Sequence, residues 1–503
     1  MTSRHVGYDV VILGGGSAGC VVASRLSEDP ERSVCLIEAG PDYGSYADGA
    51  WPRDLLYANE LATSHDWGVA GGWPAWRAKV IGGCSTHNGC FIAWGAPGDL
   101  DEWGAAGNEG WSSATLEPER RRCEAMLRVR PSRVEDLEPF MRVGLDAAVE
   151  IGLPLLDDFD DPRFPEGAAP IKVNAAGDVR WNAAFAYLDP ARDRSNLTIV
   201  SEALVDRVRF DGDRAARVVV RAGGDELEIS SDVVVLTAGS YGTPAILLRS
   251  GIGPADDLAA VSIGVRADLP GVGRNLADHP RVDVMYRPTE GLLAETAEHV
   301  ARRPARAQTL IKARSETGSS SSWDLHIMMR VRRPLVNGPG RTTGEPLAHL
   351  YVHAMKPASR GRVRIGSSDP EVLPIVDHGF LTDEAGRDVA TLLDGIGLAR
   401  RIASAEAMDG LLDTELAPGR TADVAELERY VKATVGGYWH PIGTCRMGPA
   451  SDADAVVDPT GRVRGAENLY VADASIMPTI PRANTHLLVL AIAEHIAASL
   501  RGR

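Results

Sequence analysis

Three glycines, Gly14, Gly16 and Gly19, stand in the spacing G-x-G-x-x-G, and an acid, Glu38, follows 19 residues after the last of them. That arrangement suits a dinucleotide. The first glycine permits a tight turn, the second lets the backbone approach a pyrophosphate, and the third lets a helix and a strand pack closely. The pyrophosphate then rests on a helix N-terminus, where unpaired N–H groups and the helix dipole favour negative charge. Glu38 stands where a carboxylate bonds the adenosine ribose. The same spacing occurs in ordinary Gly-rich turns, so its surroundings decide, and by itself it does not separate NAD from FAD.

The surroundings fit. Tyr8 to Leu13 (YDVVIL) is an apolar, β-branched run suited to a strand buried on both faces. CVVASRLSED follows with apolar residues at helical spacing, and Ser33 to Ile37 (SVCLI) reads as a second strand, which completes a βαβ unit. A related unit comes later. Asp232 to Thr237 (DVVVLT) is a strand ending in Ala238-Gly239, and a helix is expected from Thr243 to Arg249, with Thr243 as N-cap and Pro244 in the first turn. Asn196 to Phe210 reads as strands extending the same sheet. Asn468 to Ala472 supplies a strand before the apolar helix Leu487 to Leu500. Residues 291–322 read as a polar loop, with GSSSS at 318–322. Residues 323–434 mix strands (WDLHIMM, GRVRI) with an amphipathic helix near 383–404. The expected fold class is α/β. A discontinuous Rossmann-like domain takes residues 1–150, 190–290 and 435–503. An α+β substrate domain with an antiparallel sheet takes 151–189 and 291–434.

The bulk properties narrow the function. With 503 residues and 44% hydrophobic content the chain is long enough for two cores and a bulky cofactor. A formal net charge of −16 argues against nucleic acid and anionic membrane surfaces, which need basic patches. Cys20, Cys35, Cys84, Cys90, Cys123 and Cys445 are scattered, so neither a disulfide framework nor a metal site is expected. The opening residues run directly into a strand, from which no secretory leader and a cytoplasmic location are expected. No apolar run reaches the roughly 18 residues that cross a bilayer.

Five further blocks select a family. They are RAKVIGGCSTHNGCF (Arg77–Phe91), PGVGRNLADHP (270–280), GSYGTPAILLRSGIG (Gly239–Gly253), WHPIGTCRMG (439–448) and VADASIMP (471–478). Together, and in the family's order along the chain, they resemble the glucose–methanol–choline (GMC) oxidoreductases over nearly the whole length. The resemblance implies FAD as cofactor, and so an FAD-binding role for the Rossmann-like domain. It implies that Gly82 and Gly83 pass close to the flavin, with Val80 and Asn88 on the same loop. It also implies that Ala238 and Gly239 end a strand at the cofactor edge, and that Asp473 and Ala474 serve the ribityl and pyrophosphate region. By the same resemblance Val205 is expected to give a backbone contact to adenine, with Trp439 and Thr485 completing the cofactor set.

His440 matches the family's catalytic histidine. Oxidising an alcohol removes a proton from oxygen and a hydride from carbon; a neutral imidazole accepts the first and flavin N5 the second. Asn484 matches the second catalytic position. An amide cannot take a proton fully but bonds and orients the substrate oxygen. His486 falls outside the motif and reads as structural.

His87 matches the histidine through which choline-oxidising members hold flavin covalently at its 8-methyl group; packing without a bond is the other reading. The implied partners are a small-molecule alcohol and O2 or another electron acceptor, with no nucleic acid and no membrane span; the motifs fix no oligomeric state. Val300 to Lys312 (VARRPARAQTLIK) is basic and lacks aromatics, so choline is disfavoured and uncharged alcohols, aromatic ones first, are expected instead. The C-terminal blocks are similar to members acting on hydroxymethylfurfural and aromatic alcohols. Phe91, Trp94, Trp323, His326, Met328 and Trp439 are candidate pocket residues. Tyr438, two positions before His440, is bulky enough to obstruct oxygen. A dehydrogenase with a quinone or protein acceptor therefore stays open, as does a hydroxynitrile-lyase-like enzyme on this fold.

Overall fold

Val10 to Leu13 and Val34 to Ile37 have almost no surface outside the protein, as apolar strands flanked on both faces require. In the computed structural model, which describes residues 6–60, 62, 64–70, 73–74, 76–318, 322–332 and 344–502, they pair in parallel, Val10 with Val34 and Leu13 with Ile37. Leu197–Val200 continues the sheet beyond Val34–Ile37. On the other side Val6–Leu13 pairs in parallel with Asp225–Leu236. That long strand is shared. Its first half closes an antiparallel meander with Arg214–Ala222 and Ala203–Asp211, and its second half pairs in parallel with Leu469–Val471. Helix Ser17–Leu26 lies against the last helix, His486–Arg501. Buried Glu494 ties the helices together by accepting from Arg25, Arg122 and the Tyr187 hydroxyl.

The helix of the second unit begins at Gly239, four residues before the expected start at Thr243. Pro244 inside it has no N–H for the Ser240 carbonyl. Thr444 Oγ1 donates to that carbonyl instead, at 2.8 Å. Thr243 is no cap: its hydroxyl accepts from Ala238 N and donates to Asp473.

The second sheet is antiparallel throughout, ordered Leu412–Ala417, Pro280–Pro288, Leu347–Ala354, Leu325–Arg332, Thr309–Ala313, Gly167–Pro170, with Gly436–Gly437 also pairing with Pro280–Pro288. Alternation gives it two unlike faces. Val282, Val284, Ile327, Met329, Val331, Leu350 and Val352 pack with Phe140 and Met141 of helix Pro139–Glu150 and with Leu392 and Ile396 of helix Arg387–Ala403. The intervening side chains face the other way, and among them Leu310, Met328 and Tyr351 pack with Ala93, Phe159 and Ala483.

Within 291–322 the described residues include a helix and a strand, and are not loop throughout. Thr289 caps a helix, Glu290–Ala301, through its hydroxyl at 3.3 Å from Leu292 N, and Thr309–Ala313 is a fully buried strand. The polar residues that suggested a loop are largely the solvent face of that helix. Lys312 sits in the buried strand by donating to the Phe159 carbonyl, with its ammonium 4.2 Å from the Trp323 ring centroid. Residues 319–321 of the GSSSS stretch lie outside the described residues. No helix among the described residues is long and apolar enough to cross a membrane.

One buried cation joins the loops beside the first sheet. Arg180, 1% exposed, donates to the carbonyls of Thr86, Asn88, Asp54, Leu55, Tyr57 and Glu60. Arg180→Met leaves these acceptors unsatisfied, so it should lower stability by about 3 kcal/mol or more and loosen the 82–88 loop. Calorimetric unfolding checks this; an unchanged melting temperature refutes the tie.

Candidate active site

Between the carboxyl ends of the parallel strands and the inner face of the second sheet lies a cavity of about 420 Å3. Open parallel sheets bind ligands at this end. Of the residues singled out from the sequence, Gly14, Gly16, Glu38, Gly83, His87, Asn88, Val205, Ala238, Gly239, Trp439, His440, Asp473, Ala474, Asn484 and Thr485 line it. Gly19, Val80 and Gly82 stand just outside. Gly19 is where helix meets strand: an added Cβ would lie 1.9 Å from the Gly14 carbonyl oxygen. Gly82 and Gly83 have φ of 87° and 52°, and a Cβ on Gly83 would press on Gly16 at 2.7 Å. The 82–88 loop is thus laid directly against the glycine turn. Val80 is fully buried beneath it.

At the nucleotide end, Glu38 accepts from Gly15 N and Gly40 N, both at 2.9 Å, and burial pushes its carboxyl up to about 7. Asp473 spends one oxygen on Gly239 N and Thr243 Oγ1 and the other on Ser475. It therefore clamps the Gly239–Arg249 helix to the C-terminal loop.

The catalytic candidates form a relay with a definite direction. His279 Nε2 lies 2.9 Å from the Pro481 carbonyl, which only accepts, so Nε2 carries hydrogen. Burial holds this imidazole neutral, its pKa pushed down to about 3, so Nδ1 is bare. His440 Nδ1 lies 3.0 Å from it and must donate. Burial, reinforced by His279, holds His440 well below the ordinary histidine range, so His440 is neutral too and its Nε2 is left bare. Asn484 Nδ2 is 3.2 Å from that Nε2 and donates to it, while Asn484 Oδ1 is buried without a partner among the described protein atoms. The pair offers a proton acceptor and an orienting amide at one point of the cavity.

The backbone carrying His440 is held under strain. Trp439 has a φ of 64°, in the left-handed region. Its carbonyl accepts from Arg77 at 3.0 Å, its ring meets Trp76 edge to face at 4.0 Å, and the following N–H of His440 donates to Asp278. Asp278 is fully enclosed and its carboxyl is raised to about 6 by burial. Tyr438 stacks on His353 at 3.7 Å between ring centroids and lies 4.4 Å from His440, and burial pushes its phenol up to about 12.

Of the other pocket candidates, Phe91 and Met328 line the cavity with Trp439, whereas Trp94, Trp323 and His326 are buried elsewhere. His486 lines the cavity as well, at the start of the last helix. His279 and Asp278 carry structure that the sequence reading left unassigned, although both stand in the 270–280 block. Arg306, Arg330 and Arg332 line the cavity too, and only the alternation of WDLHIMMRVR hinted at the last two.

Known proteins agree with this architecture. Family models described as GMC oxidoreductase match residues 8–281 and 357–493. The chain is 35% identical to 5-(hydroxymethyl)furfural oxidase of Methylovorus sp. (strain MP688), over 98% of each chain. It is 32% identical to choline oxidase of Arthrobacter globiformis, over 98% of this chain and 94% of that one. Among solved structures, pyridoxine 4-oxidase from Mesorbium loti superposes with a TM-score of 0.84 at 28% identity, covering 99% of both chains. Two matched family regions and relatives aligned from end to end establish that the chain belongs to the GMC oxidoreductase family.

Proposed function

We propose that the protein oxidises an alcohol to an aldehyde or ketone, with His440 as base, Asn484 orienting the substrate oxygen, and O2 as the final acceptor. FAD is the cofactor of this family, and the cavity fits it. A Cβ on Gly16 would meet no atom nearer than 3.9 Å, which leaves the space over the helix N-terminus for a pyrophosphate. Of the residues lining the cavity, Glu38 and Val205 would hold the adenosine end, Ala238, Gly239, Asp473 and Ala474 the middle, and Gly83, His87, Asn88, Trp439 and Thr485 the flavin end. Bound FAD supplies the hydride acceptor, at flavin N5. The nucleotide unit we propose comprises 1–150, 190–290 and 435–503, less helix Pro139–Glu150 and the strands Pro280–Pro288 and Gly436–Gly437, which pack with the substrate unit formed by 151–189 and 291–434.

The observation that carries this reading is the bare Nε2 of His440 beside Asn484. The Pro481 carbonyl orders the two imidazoles so that Nε2 keeps its lone pair, which Asn484 Nδ2 occupies until a substrate hydroxyl takes that place. A hydroxyl placed there gives its proton to Nε2, while the amide bonds the same oxygen and keeps the carbon directed at the flavin. A dehydrogenase is the second reading, favoured by the bulk of Tyr438 where oxygen would approach.

Anaerobic mixing with an alcohol should bleach the flavin, and air should restore its colour within turnover time; slow recolouring with fast bleaching would favour the dehydrogenase. Without bleaching, the lyase reading returns. His440→Ala should slow bleaching by about 10²–10⁴-fold with FAD retained. Near-normal reduction in that variant would remove His440 from the role of base.

The pH dependence follows from the lowered pKa of His440. Its neutral form is the base, and protonation sets in only well below the ordinary histidine value. The reduction rate should be level from about pH 6.5 upwards and fall only on acidification. A rate that climbs through pH 7 to 8 would show that another group titrates.

His87 supports a covalent attachment. Burial first, then Arg77 and Arg180, push its imidazole down to about 3, so a ring nitrogen is available for a bond. We propose that it tethers FAD. Acid-precipitated protein should then be a yellow pellet, and His87→Ala should release its flavin. A colourless pellet from the mature protein would mean that His87 only packs against the ring.

A further inference from the structure

Alternation along Leu325–Arg332 puts Ile327, Met329 and Val331 into the second core, and Met328, Arg330 and Arg332 into the cavity that holds His440 and Asn484. Arg306 joins them from the preceding segment. Arg306 is buried and Arg330 and Arg332 are partly so, and a charge withdrawn from water costs free energy in proportion until it is paired.

Among the described residues their partners are few. Arg306, 2% exposed, donates to the Gly89 carbonyl and to Asn59 Oδ1 and has no carboxylate in contact. Arg332 donates to the Tyr351 hydroxyl and lies 4.8 Å from that ring. Arg330 has only Glu138, at 3.7 Å, which also accepts from Val331 N. Arg281, in the same layer, is already paired with Asp283 at 3.0 Å and lies 5.0 Å from the Trp439 ring. Four guanidinium groups thus face two carboxylates. Burial pushes Arg306 down to about 9, with Arg330 adding to the effect, and the guanidinium of Arg332 is lowered by burial as well. The only acids lining the cavity among the described residues are Glu38 and Asp473, and both are occupied by backbone N–H groups. The pyrophosphate of a dinucleotide has its own place over Gly14–Gly16, so it does not account for the arginines.

We propose that the alcohol oxidised here carries an oxyanion, a carboxylate or a phosphate, bound by Arg330 and Arg332 with Arg306 behind them. The proposal rests on the alcohol-oxidising reading of the same site and specifies its substrate class. The planar guanidinium fork matches either oxyanion with two parallel hydrogen bonds. Met328, Tyr438 and Trp439 line the same cavity as the arginines and His440. The substrate then has an alcohol at one end, an apolar body and an anion at the other. A cationic alcohol is rejected by the same charges, and a neutral one leaves them unpaired.

The test compares 4-(hydroxymethyl)benzoate, 4-(hydroxymethyl)phenyl phosphate and the neutral methyl ester of the former by anaerobic flavin reduction in the FAD-loaded protein. It also titrates the oxidised flavin spectrum with benzoate and with benzamide, which need no turnover. At least one anion should exceed the ester about tenfold or more in reduction rate over dissociation constant, and the better anion identifies the oxyanion. In Arg330→Gln/Arg332→Gln that preference should shrink towards unity, and the preference for benzoate over benzamide with it. An ester equal to both anions in the unmodified protein overturns the proposal, as does a preference that survives the double substitution. Were all three alcohols inert while benzoate still bound through the arginines, the anion site would stand and the oxidation reading would fall.

Discussion

A backbone carbonyl cannot donate a hydrogen bond, and from that limitation at Pro481 the protonation of two buried imidazoles follows. His279 must give its Nε2 hydrogen to the carbonyl, so it can only accept at Nδ1; His440 must donate there, so it can only accept at Nε2. Burial keeps both rings neutral and makes the order strict. Much of the surrounding architecture preserves this arrangement. Asp278 holds the His440 N–H, Arg77 the preceding carbonyl, and the Trp76–Trp439 contact keeps an unfavourable backbone conformation in place. A tautomer is cheap to change in water and costly to change where each nitrogen has one permitted partner.

The two sheets divide the labour by their periodicity. The parallel sheet is apolar on both faces and presents only its strand ends, where close backbone approach is needed. The antiparallel sheet is apolar on one face and rich in His, Tyr and Arg on the other. Cross-strand rows such as Arg281–His353–His326 and Met328–Tyr351 bring polar side chains from distant sequence into one layer. The glycine turn and its acid therefore gather at the strand ends, and the arginines gather on the polar face.

Much of this was legible in the residues. Gly14, Gly16, Gly19 and Glu38 announce their geometry because glycine spacing encodes a backbone shape, and the apolar strands beside them encode burial on both sides. The alternation of WDLHIMM announces a strand with two faces. Less was legible where local chemistry and tertiary context compete. The polar surface of Glu290–Ala301 resembled a loop because its buried side is narrow, and Lys312 disguised a core strand because its ammonium finds a carbonyl that sequence cannot display. The start of the Gly239–Arg249 helix was misplaced because Thr243 has the character of a cap, while its hydroxyl is engaged by Asp473, 230 positions away. His279 and Arg180 act through backbone carbonyls, which every residue has and no motif advertises.

The chain order of the first sheet bears on how the protein comes to exist. Its long strand Asp225–Leu236 awaits Leu469–Val471 on the side away from Val6–Leu13, and helix Ser17–Leu26 awaits His486–Arg501. Ribosomal synthesis delivers those partners only after the whole of the second sheet. Through most of elongation, the nascent chain holds a glycine turn without its covering helix and a parallel strand with an open edge. Such non-local pairing slows folding and exposes apolar surface to other chains. The nucleotide site is therefore completed late in synthesis, and until then its open strand edge and uncovered turn depend on being shielded from other chains.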